Sequence, residues 1–455
     1  MNKKLLWIIL IGLIIRFSLF FSVLIDHPER ARAHDTRSYD DSALALAETG
    51  RFDDYLGEDS PSEIFRSPGY PLFLAGFYKI FGFKHLPVVF VHLLIGGILN
   101  PILLYVVSLK MMNRKAALIA ALFITLDPNL VFLELLVLSE TVMHTFILLI
   151  CFYSFQLLNK QSIYKSSLLL GVCLIVATFI RPVTYYLPLC LMAGVFICNV
   201  VMCYSRKEIT AIFILVLLVP LSAFGLWKHR NQVKVGTSEF CGVSAVNMLH
   251  FRAGGVHAIE NDIPFSEAYL QMENLMLKNT DESINIHDRR MQYGMKLIFD
   301  NPIAYFQVAM AGIPNIIIGP GVTKVMVFFN KHDNWKLFSR GRAFDAIWDW
   351  LTTSKFQFVS SVYCISFILI LNMGFVIGLI WYFSKLRNQP IVHLCFIGMI
   401  LYFLIISAGP EAYARFRVPF TGLYAMFSAY GIVKLWDVMG LLRRRTLGRS
   451  PKQKI

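Results

Sequence analysis

Apolar runs long enough to cross a bilayer recur along the whole 455-residue chain, and no other feature restricts its fold as much. About 18 or more consecutive apolar residues mark a helix able to span roughly 30 Å of hydrocarbon. In lipid every backbone N–H and C=O must be satisfied within the protein, which leaves helices as the natural spanning element for such runs. The chain is 56% hydrophobic and 16% charged, against about 25% charged in a soluble domain. It reads as an all-α polytopic membrane protein. Ten spans are expected, near 5–25, 88–109, 116–126, 130–158, 166–180, 183–203, 209–227, 358–383, 391–408 and 418–438. The third and fifth are short for a full crossing. Residues 1–25 have a basic start but no small-residue cleavage site before Asp26, and are read as the first span rather than a leader.

The net charge of +14 does not point to nucleic acid, because the basic residues collect in short connections and tails. These are Lys3 and Lys4, Lys110 with Arg114 and Lys115, Lys160 with Lys165, Arg206 with Lys207, Lys385 with Arg387, and Arg443 to Arg445. Placing them all on the cytoplasmic side satisfies the positive-inside bias with a single topology, both termini inside. The chain then divides into a first span (1–25), an acidic outer segment with interfacial helices (26–87) and a bundle (88–227). A large outer region with interfacial or re-entrant helices (228–357), C-terminal spans (358–442) and a basic tail (443–455) follow. A short outer loop at 409–417 separates the last two spans.

The first outer segment carries Asp26, Glu29, Asp35, Asp40, Asp41, Glu48, Asp53, Asp54, Glu58, Asp59 and Glu63. Carboxylates held in water against a bilayer suit an enzyme with a lipid-linked phosphate as one substrate and a hydroxyl or amine in the aqueous phase as the other. Pro68 and Pro71 restart the chain before an interfacial helix over 70–83. Residues 301–329 are apolar but broken by Pro302, Pro314 and Gly319-Pro320-Gly321, so interfacial or re-entrant helices are expected there. Seven cysteines sit in apolar runs and only Cys241 in an outer loop, which implies no disulfide framework. No zinc spacing, phosphate-binding glycine loop, serine-nucleophile elbow or solenoid repeat is present.

Several short motifs follow in a fixed order: a basic start and one span, Asp35 with Tyr39, and Arg66-Ser-Pro-Gly-Tyr-Pro-Leu-Phe-Leu-Ala75. Then come Ser139-Glu140, Arg230-Asn231 with Gly236, and Arg415-Phe416-Arg417-Val418-Pro419. This ordered set resembles the multi-spanning GT-C glycosyltransferases, most nearly the bacterial branch similar to protein O-mannosyltransferases and lipid A aminoarabinose transferases. The resemblance implies an inverting transfer from a polyprenyl-phosphate-linked sugar on the outer face of a bacterial-type inner membrane. The implied acceptor is a lipid-linked glycan, a polysaccharide, lipid A or a protein. It implies no certain cofactor; a divalent cation at Asp35 and Glu140 requires the fold to bring the two together. The rival readings are a lipid-linked oligosaccharide flippase or transporter and an O-antigen ligase or polymerase. The flippase is disfavoured because the candidate acids lie at span ends and the two halves of the chain do not repeat.

Displacement at an anomeric carbon needs a base for the acceptor and cations for the departing phosphate. Asp35 is the candidate base or a ligand for a divalent cation; the plainer reading makes it the N-cap of a helix beginning at Thr36. Glu134 and Glu140 are charges within an apolar run, costly enough to suggest function. On one helix their spacing places them on different faces. The resemblance favours Glu140 as second acid, against an ion pair with Arg181, and His144 reads as its partner one turn on. Arg66, Arg181, Arg230, Arg415 and Arg417 are candidates for the phosphate, since a guanidinium binds phosphate oxygens in pairs. The alternative for each is snorkelling or contact with membrane lipid headgroups. Arg37 and Tyr39 flank the base, Arg37 either orienting it or neutralising an acidic loop. Pro68, Gly69, Tyr70 and Pro71 read as a rigid turn more than as contact residues. Asn247 and His250 are candidates for the acceptor. Tyr185, Tyr186, Trp227, Trp335, Trp348 and Trp350 fit interfacial belts.

Overall fold

The computed structural model describes residues 2–53, 64–329, 355–384 and 391–446. Trp335, Trp348, Trp350, Lys385, Arg387 and the acids Asp54, Glu58, Asp59 and Glu63 lie outside the described residues. The described chain is helical, and no β-sheet forms among the described residues. Among the described residues seven helices are long and apolar enough to cross a membrane, or up to nine if each of two bent pairs counts as one span. The first is α1 (Lys3–Leu19), whose N-terminus is capped by Asn2 and which continues as a π-helical turn to Leu24. Two helices then leave the bundle: α2 (Thr36–Thr49), ended by Gly50 in the left-handed conformation, and α3 (Gly69–Phe81). The chain re-enters through α4 (His85–Leu94) and α5 (Asn100–Met111), joined by a π-helical turn.

Next comes α6 (Arg114–Leu126), then α7 (Pro128–Glu134), bent 52° away from it. The bend follows from sequence: Asp127 accepts from the N–H groups of Asn129 and Leu130, and Pro128 at the first helical position cannot continue α6. Here an expectation fails. Residues 130–158 are not one span, because helix stops at Glu134 and restarts in α8 (Glu140–Leu158). The break is invisible in hydropathy, since Leu135 to Leu138 continue the apolar run. It is stabilised from outside, where the Val137 N–H donates to the Ala31 carbonyl and the Thr36 hydroxyl donates to the Val137 carbonyl.

The bundle continues with α9 (Ile163–Ile180), α10 (Leu187–Met202), α11 (Arg206–Ile212) and α12 (Val219–Val235), the last two joined by a π-helical stretch. The region read as outer folds into four helices, α13 (Gly242–Val246), α14 (Gly254–Glu260), α15 (Phe265–Asn279) and α16 (Ile286–Asp300). They pack round Leu249, Ala253, Met272 and Met276. Next, α17 (Pro302–Ile318) and α18 (Val322–Phe328) meet at 65°, the broken-span or re-entrant geometry that Gly319-Pro320-Gly321 predicts.

Three helices complete the chain: α19 (Lys355–Phe383), α20 (Ile391–Ser407) and α21 (Val418–Thr446). The expected spans 391–408 and 418–438 take different forms. Within α20, His393–Ser407 counts as a shorter apolar helix, while α21 is a central helix with Phe420, Leu423, Tyr424 and Phe427 buried. Small residues let α19 and α21 approach closely: a Cβ on Gly378 would stand 2.1 Å from the Phe427 carbonyl oxygen. Gly374 and Gly378 form the small-xxx-small spacing that drives helix packing in lipid, where the hydrophobic effect does not.

Candidate active site

One end of the bundle gathers charged side chains from five separate elements. The basic connections α5–α6, α8–α9 and α10–α11 lie at the opposite end. At the site end, Asp35 occupies the N-cap position of α2, as expected, but its side chain makes no capping bond. Its carboxylate is held by two arginines instead. Arg66 donates from NH2 to Asp35 Oδ1 at 3.0 Å, and Arg415 donates from NH1 to Asp35 Oδ2 at 2.5 Å.

Arg415 also donates through Nε to Glu140 Oε1, the same oxygen that accepts from Arg181 NH1. The result is an alternating chain of charge: Arg66, Asp35, Arg415, Glu140, Arg181. Three guanidinium groups face two carboxylates. Local structure explains why each is there. Arg181 is the residue at which α9 ends, with Pro182 immediately behind it. Glu140 opens α8 after the break, and Arg415 lies in a single 3₁₀ turn before α21.

Arg66 precedes α3 and is fixed on three sides. Nε donates to Ser38 Oγ at 2.8 Å, NH1 to the Tyr39 hydroxyl at 3.5 Å, and the guanidinium lies 4.4 Å from the Tyr39 ring centroid. Tyr39 bonds Ser139 Oγ at 3.2 Å and packs edge-to-face on the fully buried Tyr70. Behind them Gly69 fits only as glycine, because an added Cβ would stand 2.6 Å from the Phe179 carbonyl carbon at the end of α9. The Pro68–Pro71 stretch is thus the start of a helix seated on α9, with Tyr70 as a wall of the site.

Burial would raise the Asp35 carboxyl, but the charges of Arg415, Arg66 and Arg181 outweigh it and hold the group well below its ordinary value of 3.8. Asp35 is therefore an anion at any physiological pH. Glu140 is buried, and its Oε2 makes no hydrogen bond within the described protein. One buried acceptor thus has no partner among the described residues beside the clamp.

The other residues singled out by sequence lie elsewhere. The Arg37 side chain is 84% exposed and reaches Asp41 within its own helix. Glu134 pairs with Arg16 of α1, not with Glu140. Arg230 stacks over Trp227 and donates to the Phe52 carbonyl. Asn247 begins a π-helical turn (Asn247–Ala253) of the outer unit, and His250 on that turn pairs with Glu273. Arg417 is buried and donates to the carbonyls of Ile316, Ile317 and Gly319. His144 does not partner Glu140; its Nε2 has no hydrogen bond among the described residues. The anticipated Glu140–Arg181 pair is present, but it is one half of a shared contact with Arg415. Sequence reading missed Arg16 entirely, although a lone arginine inside the first apolar run is the kind of signal that marks such a residue.

Residues 65–227 match the model of the dolichyl-phosphate-mannose-protein mannosyltransferase family. That segment holds Arg66, Glu140 and Arg181; Asp35 and Arg415 lie on either side of it. Among solved structures, the chain is similar to the oligosaccharyltransferase AglB of Archaeoglobus fulgidus in complex with an inhibitory peptide and a dolichol-phosphate. The TM-score is 0.54 at 12% identity, covering 100% of this chain and 53% of that one. The fold is of the GT-C type.

The same enzyme in its apo form matches with a TM-score of 0.53 at 12% identity, over 100% of this chain and 53% of the other. Tethered to an acceptor peptide it matches with a TM-score of 0.52, again at 12% identity, over 100% and 52%. The chain spans about half the length of these structures. No curated protein matches it by sequence.

Proposed function

We propose that the protein is an inverting glycosyltransferase that moves a sugar from a polyprenyl-phosphate-linked donor to an acceptor presented at the outer face of the membrane. The observation that carries this reading is the alternating clamp from Arg66 to Arg181, with three cations to two anions at one end of an apolar bundle. A lipid-linked phosphate supplies the missing negative charge. The basic connections at the far end of the bundle support an outer-side position for the clamp through the positive-inside bias.

The chemistry follows from the donors and acceptors in place. The acceptor oxygen attacks the anomeric carbon from the face opposite the phosphate and gives its proton to Asp35. The bond from the anomeric carbon to the phosphate oxygen breaks, and that oxygen keeps the electron pair. Arg415 with Arg66 or Arg181 binds the departing phosphate through paired N–H groups. A phosphate that engages Arg415 weakens its hold on Asp35, so donor binding raises the basicity of the carboxylate just when a base is needed. The buried, unpartnered Glu140 Oε2 is the acceptor left for a sugar hydroxyl.

A divalent cation does not fit these residues. Guanidinium groups occupy the positions where a cation's charge would act, and Arg415 stands between Asp35 and Glu140. Among the described residues no three His, Cys, Asp or Glu side chains are placed to hold a metal.

The prenyl tail has a matching apolar space. A cavity of about 280 Å³ is lined by Leu158, Leu170, Leu191, Val195, Cys395 and Met399, between α8, α9, α10 and α20. Its polar rim at Ser154 lies about 20 Å along α8 from Glu140, at 1.5 Å per residue. A chain that descends from a phosphate at the clamp reaches it within the thickness of the membrane.

The test is to reconstitute the protein in lipid nanodiscs and screen radiolabelled polyprenyl-phosphate sugars for release of free polyprenyl phosphate. Release that disappears in Asp35→Asn supports the reading. Transbilayer movement of a lipid-linked glycan without release would identify a flippase instead.

A further inference from the structure

We propose that Arg252, acting through Glu411, is a positioning residue that sets Arg415 in the site; the inference rests on the glycosyltransferase reading of the Arg415 clamp. Arg415 lies near the end of a loop, 408–417, strung between α20 and α21. At the near end, Arg252 reaches across from the outer helical unit. Its NH2 donates at 2.5 Å to the carbonyl of Ile406, in the last turn of α20. A helix leaves its last four carbonyls without intrahelical donors, and a basic side chain there also meets the negative end of the helix dipole. Arg252 Nε lies 3.9 Å from Glu411 Oε1, five residues further on in the loop itself. One guanidinium thus caps α20 by a hydrogen bond and faces the Glu411 carboxylate of the segment that follows as an ion pair.

The far end of the loop is fastened by the same device in reverse. Arg417 donates to the carbonyls of Ile316, Ile317 and Gly319, where α17 ends, at 2.9, 3.3 and 3.1 Å. Asn129 Nδ2 donates to the Ala414 carbonyl at 3.1 Å. Between these anchors there is no slack against the outer unit. A Cβ on Gly255, one turn beyond Arg252, would stand 2.8 Å from Pro410 Cγ, and one on Gly312 would stand 2.3 Å from the Gly409 carbonyl oxygen. Arg252 itself sits on a π-helical turn, a local widening frequent at functional sites. The loop is a short strut, and Arg415 is its working tip. A displacement of about an ångström breaks its hydrogen bonds to Asp35 and Glu140.

The experiment uses the full chain in nanodiscs. Polyprenyl phosphate release is followed from about pH 3 to pH 8 for wild type, Arg252→Gln, Arg252→Lys, Glu411→Gln and the double variant, with thermal unfolding as a folding control. Arg252→Gln is expected to lower kcat about ten-fold and to move the acid limb of the profile upward, because a loosened Arg415 no longer holds Asp35 low. Arg252→Lys should restore part of both, and the double variant should be no worse than Arg252→Gln. A second readout does not need turnover: spin labels at Leu270 and Tyr413, with the exposed Cys190 and Cys203 replaced by serine. Their distance distribution should broaden in Arg252→Gln. An unchanged distribution, or an unmoved acid limb in a folded, active variant, overturns the inference. Absence of release in wild type overturns the glycosyltransferase reading alone, and the label distances still decide whether Arg252 holds the loop.

Discussion

Arg415 and Asp35 are 380 positions apart in the chain and 2.5 Å apart in space. Segments near both ends of the sequence therefore meet at the site, with Glu140 and Arg181 from between them. The pairing also sets the chemistry. A carboxylate gripped by Arg415 and Arg66 is a weak base, and on the proposed reading an anion that competes for the arginines frees it to act.

Asp35→Asn keeps the size of the side chain and removes its basicity. Release of polyprenyl phosphate is expected to fall by about 10²–10⁴-fold, the usual worth of a general base. Donor binding should stay within a few-fold of wild type, because the arginines remain. Scintillation proximity binding beside the release assay separates the two; equal turnover by the variant would remove Asp35 from the chemistry.

The pH dependence has a definite sign. Burial alone raises Asp35, yet Arg415, Arg66 and Arg181 hold it below 3.8. A depressed carboxyl contributes its stabilisation above its ordinary value and loses it only as pH falls through the depressed one. Thermal unfolding in nanodiscs should show this ion-pair contribution intact down to about pH 4, the ordinary carboxylate range. In Arg415→Gln the carboxyl rises toward its ordinary value, so the acid limb of any residual turnover should shift upward.

The fold was largely legible because hydropathy reports span positions directly: α1, α4 with α5, α9, α10 and α19 fall where apolar runs predict them. The residues of the clamp were legible as candidates. Their pairing was not, since Asp35, Glu140 and Arg415 are distant in sequence and charge type alone does not choose partners. Glu134 illustrates the limit. An acid six residues before Glu140 in an unbroken apolar run reads as lying on another face of the same helix. Only the turn at Leu135–Ser139, stabilised by contacts from Ala31 and Thr36, sends the two acids to different partners.

Those partners lead to a prediction about stability. Arg16 is fully buried; its Nε and NH2 donate to the two oxygens of Glu134 at 2.5 and 3.2 Å, and NH1 donates to the Thr125 carbonyl at 2.9 Å. Removing one partner leaves a buried charge uncompensated, which costs about 3–5 kcal/mol. Glu134→Ala should lower the unfolding temperature strongly while the small amount of folded protein keeps wild-type donor affinity. The double variant Arg16→Met/Glu134→Leu should recover most of the stability. Loss of donor affinity in that recovered variant would place Glu134 in the site after all.

Gly69→Ala tests whether the site depends on how α3 is seated. The added methyl would lie 2.6 Å from the Phe179 carbonyl carbon and 2.7 Å from the Ile180 nitrogen, both backbone atoms that cannot rotate away. The N-terminus of α3 must then lift off α9. Arg66 and Tyr70 flank Gly69, so lifting pulls the guanidinium from Asp35 and the Tyr70 ring from Tyr39. An ångström of misplacement costs about 10²-fold in rate. The variant should therefore lose turnover by that order while it keeps its helical content by circular dichroism. Gly76→Ala is the internal control: it lies two turns further along the same helix, and a methyl there meets no atom within 4 Å. Equal activity of the two variants would show that the seating of α3 on α9 does not govern the clamp.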